Sequence, residues 1–263
     1  MTLRTCALAM AAAVLLGGGP AGCTAAATAP ATLCDSQALT VSGGEYTIQN
    51  NEWGSSAREC ITTAGGAGFT VASSAIAIAT NVTAGAPGGY PSIYKGCHWG
   101  TCTAGSGLPI QVPRILPGTV TTSWRTSQPG GSSVYSVTYD IWFNREPVSS
   151  GKPDGTELMI WLNHNGPVHP TGHLAAGGVL VGGRGYDVWV GRRSGWRAIS
   201  YAMTTGTTSV TNLDLQPFVA DAMSRGYLRE SWYLTGVEAG FEIWQGGAGL
   251  ATRSFSVTVA GGG

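Results

Sequence analysis

The chain has 263 residues, with 14 Lys+Arg against 14 Asp+Glu and therefore no net formal charge. Charged residues make up only 11%, below the roughly 25% of ordinary globular domains, and such scattered cations form no nucleic-acid footprint. An apolar share of 43% with nine Trp excludes a disordered polypeptide, while 41 Gly and 13 Pro point to a turn-rich, all-β protein.

The first segment is an export signal. Arg4 supplies a positive start and Cys6 to Leu16 an apolar stretch, shorter than the roughly 18–20 residues needed to cross a bilayer. Cleavage at Ala29-Pro30-Ala31 would leave a secreted protein, so residues 1–31 are read as signal and 32–263 as one domain. Ala21-Gly22-Cys23 offers a second ending, a lipid anchor on Cys23, although Pro20 is unusual for such signals. Export permits disulfides. Beyond the signal remain Cys34, Cys60, Cys97 and Cys102; the last two bracket a short Gly-containing turn, so they pair together and Cys34 pairs with Cys60. A zinc site would need closer ligand pairs than these.

Short strands separated by Gly, Pro, Asn and Ser clusters follow from about Thr32 to Val259. Three alternate clearly enough to assign faces, because successive strand side chains point to opposite sides. Over 134–144, Tyr135, Val137, Tyr139, Ile141 and Phe143 are core, and Ser136, Thr138, Asp140 and Trp142 face away. Over 157–164, Leu158, Ile160 and Leu162 oppose Glu157, Met159, Trp161 and Asn163. Over 232–244, Tyr233, Val237, Ala239, Phe241 and Ile243 oppose Trp232, Leu234, Glu238, Glu242 and Trp244. Only Leu215, Phe218, Val219, Ala222 and Met223 show helical spacing, with Asp214 as N-cap and Gly226 as stop. The expected fold is a β-sandwich with one short helix packed outside it.

A non-core face carrying Trp142, Trp161, Trp232 and Trp244 beside Asp140, Glu157 and Glu242 reads as a groove for sugars, whose C–H faces lie on indoles while their hydroxyls bond carboxylates. The alternative is a second layer of core. Paired carboxylates on such a face suit glycoside hydrolysis, one ionised and one protonated. Glu52, Glu59, Glu146 and Asp154 lie in polar, turn-like sequence and are read as surface acids.

Thr156-Glu157-Leu158-Met159-Ile160-Trp161 resembles the nucleophile strand of glycoside hydrolase family 12, and Ala239-Gly240-Phe241-Glu242-Ile243-Trp244-Gln245-Gly246 its acid/base strand. Asn50-Asn51-Glu52-Trp53-Gly54, Gly96-Cys97-His98, Tyr139-Asp140-Ile141-Trp142 and Val181-Gly182-Gly183-Arg184 extend the match in family order, most like secreted actinomycete endoglucanases. The resemblance implies a curved antiparallel jelly roll with the helix on its convex side, and retaining endo-hydrolysis of β-1,4-glucosidic bonds. It implies Glu157 as nucleophile, Glu242 as acid/base and Asp140 as a third carboxyl bonded to Glu157. Asn51, Trp53, Met159, Trp161, Asn163 and Trp142 would bind substrate, and the two disulfides match the family pairing. Carboxyl groups about 5–5.5 Å apart are expected of a retaining pair, with the Glu242 pKa raised by neighbouring negative charge.

The match departs at Asn163-His164-Asn165-Gly166-Pro167-Val168-His169-Pro170-Thr171-Gly172-His173, where three histidines cluster; Pro170 and Gly172 forbid a metal-aligning helix, so the loop is expected to line the cleft. No metal, cofactor, nucleic acid or membrane span is expected; the partner is a β-glucan, met by a monomer. A non-catalytic carbohydrate-binding jelly roll and a jelly-roll endoxylanase remain as alternatives.

Overall fold

The computed structural model describes residues 30–79, 86–147, 151–193 and 195–260. Residues 1–29, most of the expected signal, and Asn81-Val82-Thr83, an N-glycosylation sequence, lie outside the described residues, whereas Ala31 begins the first strand. Among the described residues seventeen strands form two main sheets. The smaller runs β1 (Ala31–Cys34), β4 (Glu59–Thr63), β5 (Phe69–Ser74), β17 (Ala251–Val259), β9 (Val120–Ser127), β15 (Ser209–Asp214). The larger runs β12 (His173–Val181), β13 (Arg184–Arg193), β14 (Trp196–Met203), β11 (Thr156–Asn165), β10 (Val134–Asn144), β16 (Tyr233–Gln245), β6 (Ser92–His98), β3 (Tyr46–Gln49), β2 (Ala38–Val41). Short β7 (Thr101–Cys102) and β8 (Ile110–Gln111) attach to β6 and β16. Only β11 and β14 pair in parallel among these, so the architecture is the antiparallel sandwich that the alternation predicts.

The core lies between the sheets and follows the predicted faces of β10 and β11. Phe69 of β5 meets Phe241 of β16 with ring centroids 5.9 Å apart, and Trp124 of β9 meets Tyr139 of β10 at 5.2 Å. Each such fully buried aromatic contributes about 2–3 kcal/mol of transfer free energy, which pins the sheets together. The helix α1 (Gln216–Ser224) covers the same side of the larger sheet. Its Phe218 packs on Tyr186 and Tyr201 at 5.3 and 5.2 Å. The N-cap is Leu215, one residue later than the Asp214 expected, because Asp214 still belongs to β15. Its Oδ1 nevertheless accepts the Gln216 amide at 3.0 Å, and Gly226 ends the segment at φ 74° as expected.

Two β-bulges overturn face assignments. Trp142 pairs with Gly236 but Phe143 pairs with Leu234, which leaves Thr235 as an extra residue. The parity of β16 reverses there, so Trp232 and Leu234 join the main core instead of the groove. Likewise Thr138 pairs with Trp161 but Val137 with Asn163. Asn163 is turned off the groove face and donates from Nδ2 to Gln128 Oε1 at 2.6 Å. A bulge inserts one residue and cannot be seen in a periodicity count.

Glu59 is also not a surface acid: it is wholly buried, and burial, with the Glu52 carboxylate adding to it, lifts its carboxyl to about 7. Both expected disulfides are present, Cys34–Cys60 joining β1 to β4 and Cys97–Cys102 closing the β6–β7 turn.

Candidate active site

The non-core face of the larger sheet is concave. Glu157 stands opposite Trp142 on one flank of β10, and Glu242 opposite Ser136 on the other. In a flat sheet, two strands and six residues of offset would separate them by roughly 20 Å, at about 4.8 Å per strand and 3.3 Å per residue. Instead both reach one guanidinium: Arg193 Nε lies 4.0 Å from Glu157 Oε2, and Arg193 Nη2 3.8 Å from Glu242 Oε1. The nearest carboxylate oxygens are thus within about 10 Å of each other, given the width of a planar guanidinium. The reach of the two glutamate side chains and the curvature of the sheet together close a gap of a whole strand pair.

Around them is a cleft of about 400 Å³ lined by Asn51, Trp53, Tyr90, His98, Asp140 and Trp142 together with both glutamates, Trp99, Arg193 and Trp196. Trp99, Trp142 and Trp196 form one wall, their ring centroids 5.6–6.0 Å apart pairwise. At the rim Trp53 is 52% exposed, an indole face open to solvent.

Each carboxyl has a distinct environment. Glu157 Oε2 accepts a 2.7 Å hydrogen bond from Trp196 Nε1. Burial raises its pKa, and Arg193 and the Trp196 bond oppose that. Glu242 Oε2 accepts from Ser136 Oγ at 2.9 Å, and burial first, with Glu157 adding to it, lifts its pKa to about 7. The direction is the one expected, but desolvation leads and the neighbouring charge is the lesser cause. Asp140 is raised well above the usual range by burial and then by Glu157, Glu242 and Glu238. No donor bonds its buried Oδ1, so Asp140 is the group that keeps a proton. Glu238 behaves oppposite to its neighbours. Burial works to raise it, but His98 at 2.9 Å and bonds from Ser92 Oγ (2.6 Å) and Gln49 Nε2 (2.8 Å) outweigh burial and hold it ionised.

A family model for glycosyl hydrolase family 12 matches residues 44–260. The chain belongs to this family. This family 12 hydrolase is 42% identical to the solved structure of endoglucanase cel12A from Rhodothermus marinus, with a TM-score of 0.79 over 87% of this chain and 98% of that one. A native family 12 xyloglucanase from Bacillus licheniformis is 28% identical, with a TM-score of 0.76 over 87% of this chain and 100% of that one. The probable cellulase Cel12b of Mycobacterium tuberculosis is 32% identical over 155 residues, 59% of this chain and 99% of that protein.

Of the residues singled out in the sequence, Glu157, Glu242, Asp140, Asn51, Trp53 and Trp142 line the hydrolase's cleft. Met159, Trp161 and Trp244 do not. They pack with Val134 and Val168 in a small buried cluster on the concave side, the second-layer role weighed as the alternative. The histidine loop also stays off the carboxylate cleft: His169 stacks on Trp189 at 4.6 Å, and His164 and His173 are exposed. Among the described residues no group of three His, Cys, Asp or Glu is arranged to hold a metal. Sequence reasoning missed Arg193, Trp196, Trp99 and Tyr90, and gave no role to Glu238 or His98. The Gly96–His98 motif was the available signal for His98. Gly96 and Gly236 face each other across β6 and β16, and a Cβ on Gly96 would sit 2.4 Å from the Thr235 carbonyl oxygen. That close approach seats the end of β6 so that His98 meets Glu238.

Proposed function

We propose that this glycoside hydrolase is an endo-β-1,4-glucanase that works by double displacement with retention of configuration. Glu157 is the nucleophile and Glu242 the acid/base. The observation that carries the reading is one guanidinium, Arg193, facing both carboxyl groups across an aromatic-walled cleft.

The Trp196 bond fixes Glu157 Oε2, which leaves Oε1 to attack the anomeric carbon. As the C–O bond to the departing sugar breaks, Glu242, a carboxylic acid up to about pH 7, gives that oxygen its proton. Formation of the glycosyl ester removes the Glu157 charge. Glu242 then ionises more easily and takes a proton from the incoming water, whose oxygen displaces Glu157. A protonated Asp140 avoids a third negative charge beside Glu157. Trp53 and Asn51 hold the chain further along the cleft.

Unbranched glucan is the favoured substrate, since identity is higher to the endoglucanase than to the xyloglucanase. Two disulfides support an exported protein, and no helix among the described residues is long and apolar enough to cross a membrane. The enzyme is read as an exported monomer of one catalytic domain.

The test is hydrolysis of soluble β-glucan by the wild type, Glu157→Gln and Glu242→Gln, with product anomers followed by NMR. Release of the β-anomer first, and a loss in kcat of about a thousandfold or more in each variant at unchanged thermal stability, is the expected result. Near-normal turnover by either variant, or α-anomer first, defeats the assignment.

A further inference from the structure

A second cavity, of about 430 Å³, adjoins the cleft and is lined by Arg145, Arg192, Arg193, Arg197 and Arg229 with Gly155, Gly195, Trp196 and Trp232. Five of the chain's 14 basic residues converge here, and no acidic side chain lines the cavity. Two of the five are engaged. Arg193 faces Glu157 and Glu242, and Arg197 donates from Nη1 to the Gly226 carbonyl at 2.7 Å while lying over the Tyr227 ring at 4.3 Å. The side chains of Arg145, Arg192 and Arg229 are exposed and have no ion pair or hydrogen bond among the described residues. Arg192 and Arg197 are moreover direct cross-strand partners in β13 and β14. Like charges placed directly opposite destabilise a sheet, so this arrangement costs stability unless something anionic offsets it.

The cavity is not isolated. Trp196 and Arg193 line both it and the cleft, so the aromatic wall that would carry a sugar chain continues into the basic chamber. Arginine's planar fork matches a carboxylate in bidentate geometry, and a concave basic wall concentrates anions. The volume falls within the range that holds a small ligand such as one sugar unit.

We propose that this cavity is an anion subsite that takes the carboxylate of an acidic sugar unit in a β-1,4-linked chain lying in the adjoining cleft. It rests on the reading of the cleft as a glucan site, and it adds a preference for carboxylated chains over neutral ones.

The test compares carboxymethylcellulose with neutral hydroxyethylcellulose as substrates for the full chain, at low salt and at about 0.5 M NaCl, where the Debye length falls to roughly 4–5 Å. The wild type is expected to show a KM about tenfold lower on the carboxymethylated polymer at low salt, and high salt should erase the difference. The R145Q/R192Q/R229Q triple variant should lose that preference with kcat and KM on hydroxyethylcellulose unchanged. The R125Q/R253Q variant, which removes exposed arginines elsewhere, should keep it. A triple variant that retains the preference, or that weakens both substrates alike, overturns the subsite. Retardation in gels cast with either polymer gives the same comparison without catalysis. If neither polymer is cleaved the glucanase reading fails, and the gels still decide the subsite.

Discussion

Replacing Arg193 by Gln perturbs both carboxyls at once, and the structure fixes the sign. The guanidinium lies 4.0 Å from Glu157 and 3.8 Å from Glu242, and it lowers the pKa of each against the effect of burial. Opposite charges about 4 Å apart attract by about 4 kcal/mol at an effective dielectric near 20. An adjacent cation typically lowers a carboxyl by about 1–3 pH units, and the Arg193 side chain, 23% exposed and shared between two acids, belongs at the low end. Both limbs of the kcat/KM profile, which are properties of the pair, should therefore move up by about one pH unit in Arg193→Gln. The acid limb reports ionisation of the nucleophile. Well down the acid limb the variant should lose up to about tenfold in kcat/KM, while near pH 8, where its Glu242 stays protonated for longer, it should match or exceed the wild type. The assay is initial rate on hydroxyethylcellulose from pH 4 to 9, a neutral polymer that leaves the basic cavity out of the measurement. Limbs that stay in place, or move down, would refute the electrostatic reading of this site.

Glu59 predicts a pH-dependent stability. Its carboxyl is raised to about 7 in the folded chain from 4.5, so the folded state holds a proton that the unfolded chain has released between those values. The contribution is full below about pH 4.5 and falls by about 1.4 kcal/mol per pH unit until about pH 7, roughly 3 kcal/mol in all. Urea unfolding at pH 5 and pH 8 should show Glu59→Gln gaining on the wild type by about that amount at the higher pH; parallel curves would contradict it. Trp53→Ala removes the exposed indole at the rim without touching the carboxyls. It should raise KM on soluble glucan about five- to tenfold with kcat within twofold, and a fall in kcat alone would place Trp53 in the chemical step.

The large-sheet faces were legible because a strand's period of two sorts Tyr139 from Asp140 and Leu158 from Glu157 without any knowledge of the partner strands. That logic failed at Trp232 and Asn163, where a single inserted residue reverses the parity. Glu59 failed for a different reason: its polar neighbours in sequence say nothing of β1 and β5, which cover it on either side in space. Arg193 and Trp196 were invisible because they reach the carboxyls only through strand pairing: β14 sets Ala198 beside Glu157, with Trp196 two residues away and Arg193 opposite it, a register between distant segments that no local pattern records. Glu157 and Glu242 were readable as a pair only through their motifs, since alternation gives a face but not a distance.

The most direct test of the mechanism is to trap the intermediate. In a 2-deoxy-2-fluoro-cellobioside the fluorine slows both displacements and a good leaving group speeds only the first, so the glycosyl ester accumulates on the nucleophile. Mass spectrometry of the digested protein should find one fluorosugar, esterified to Glu157. Label on Glu242 or Asp140, or none under conditions where the leaving group is released, would contradict the account.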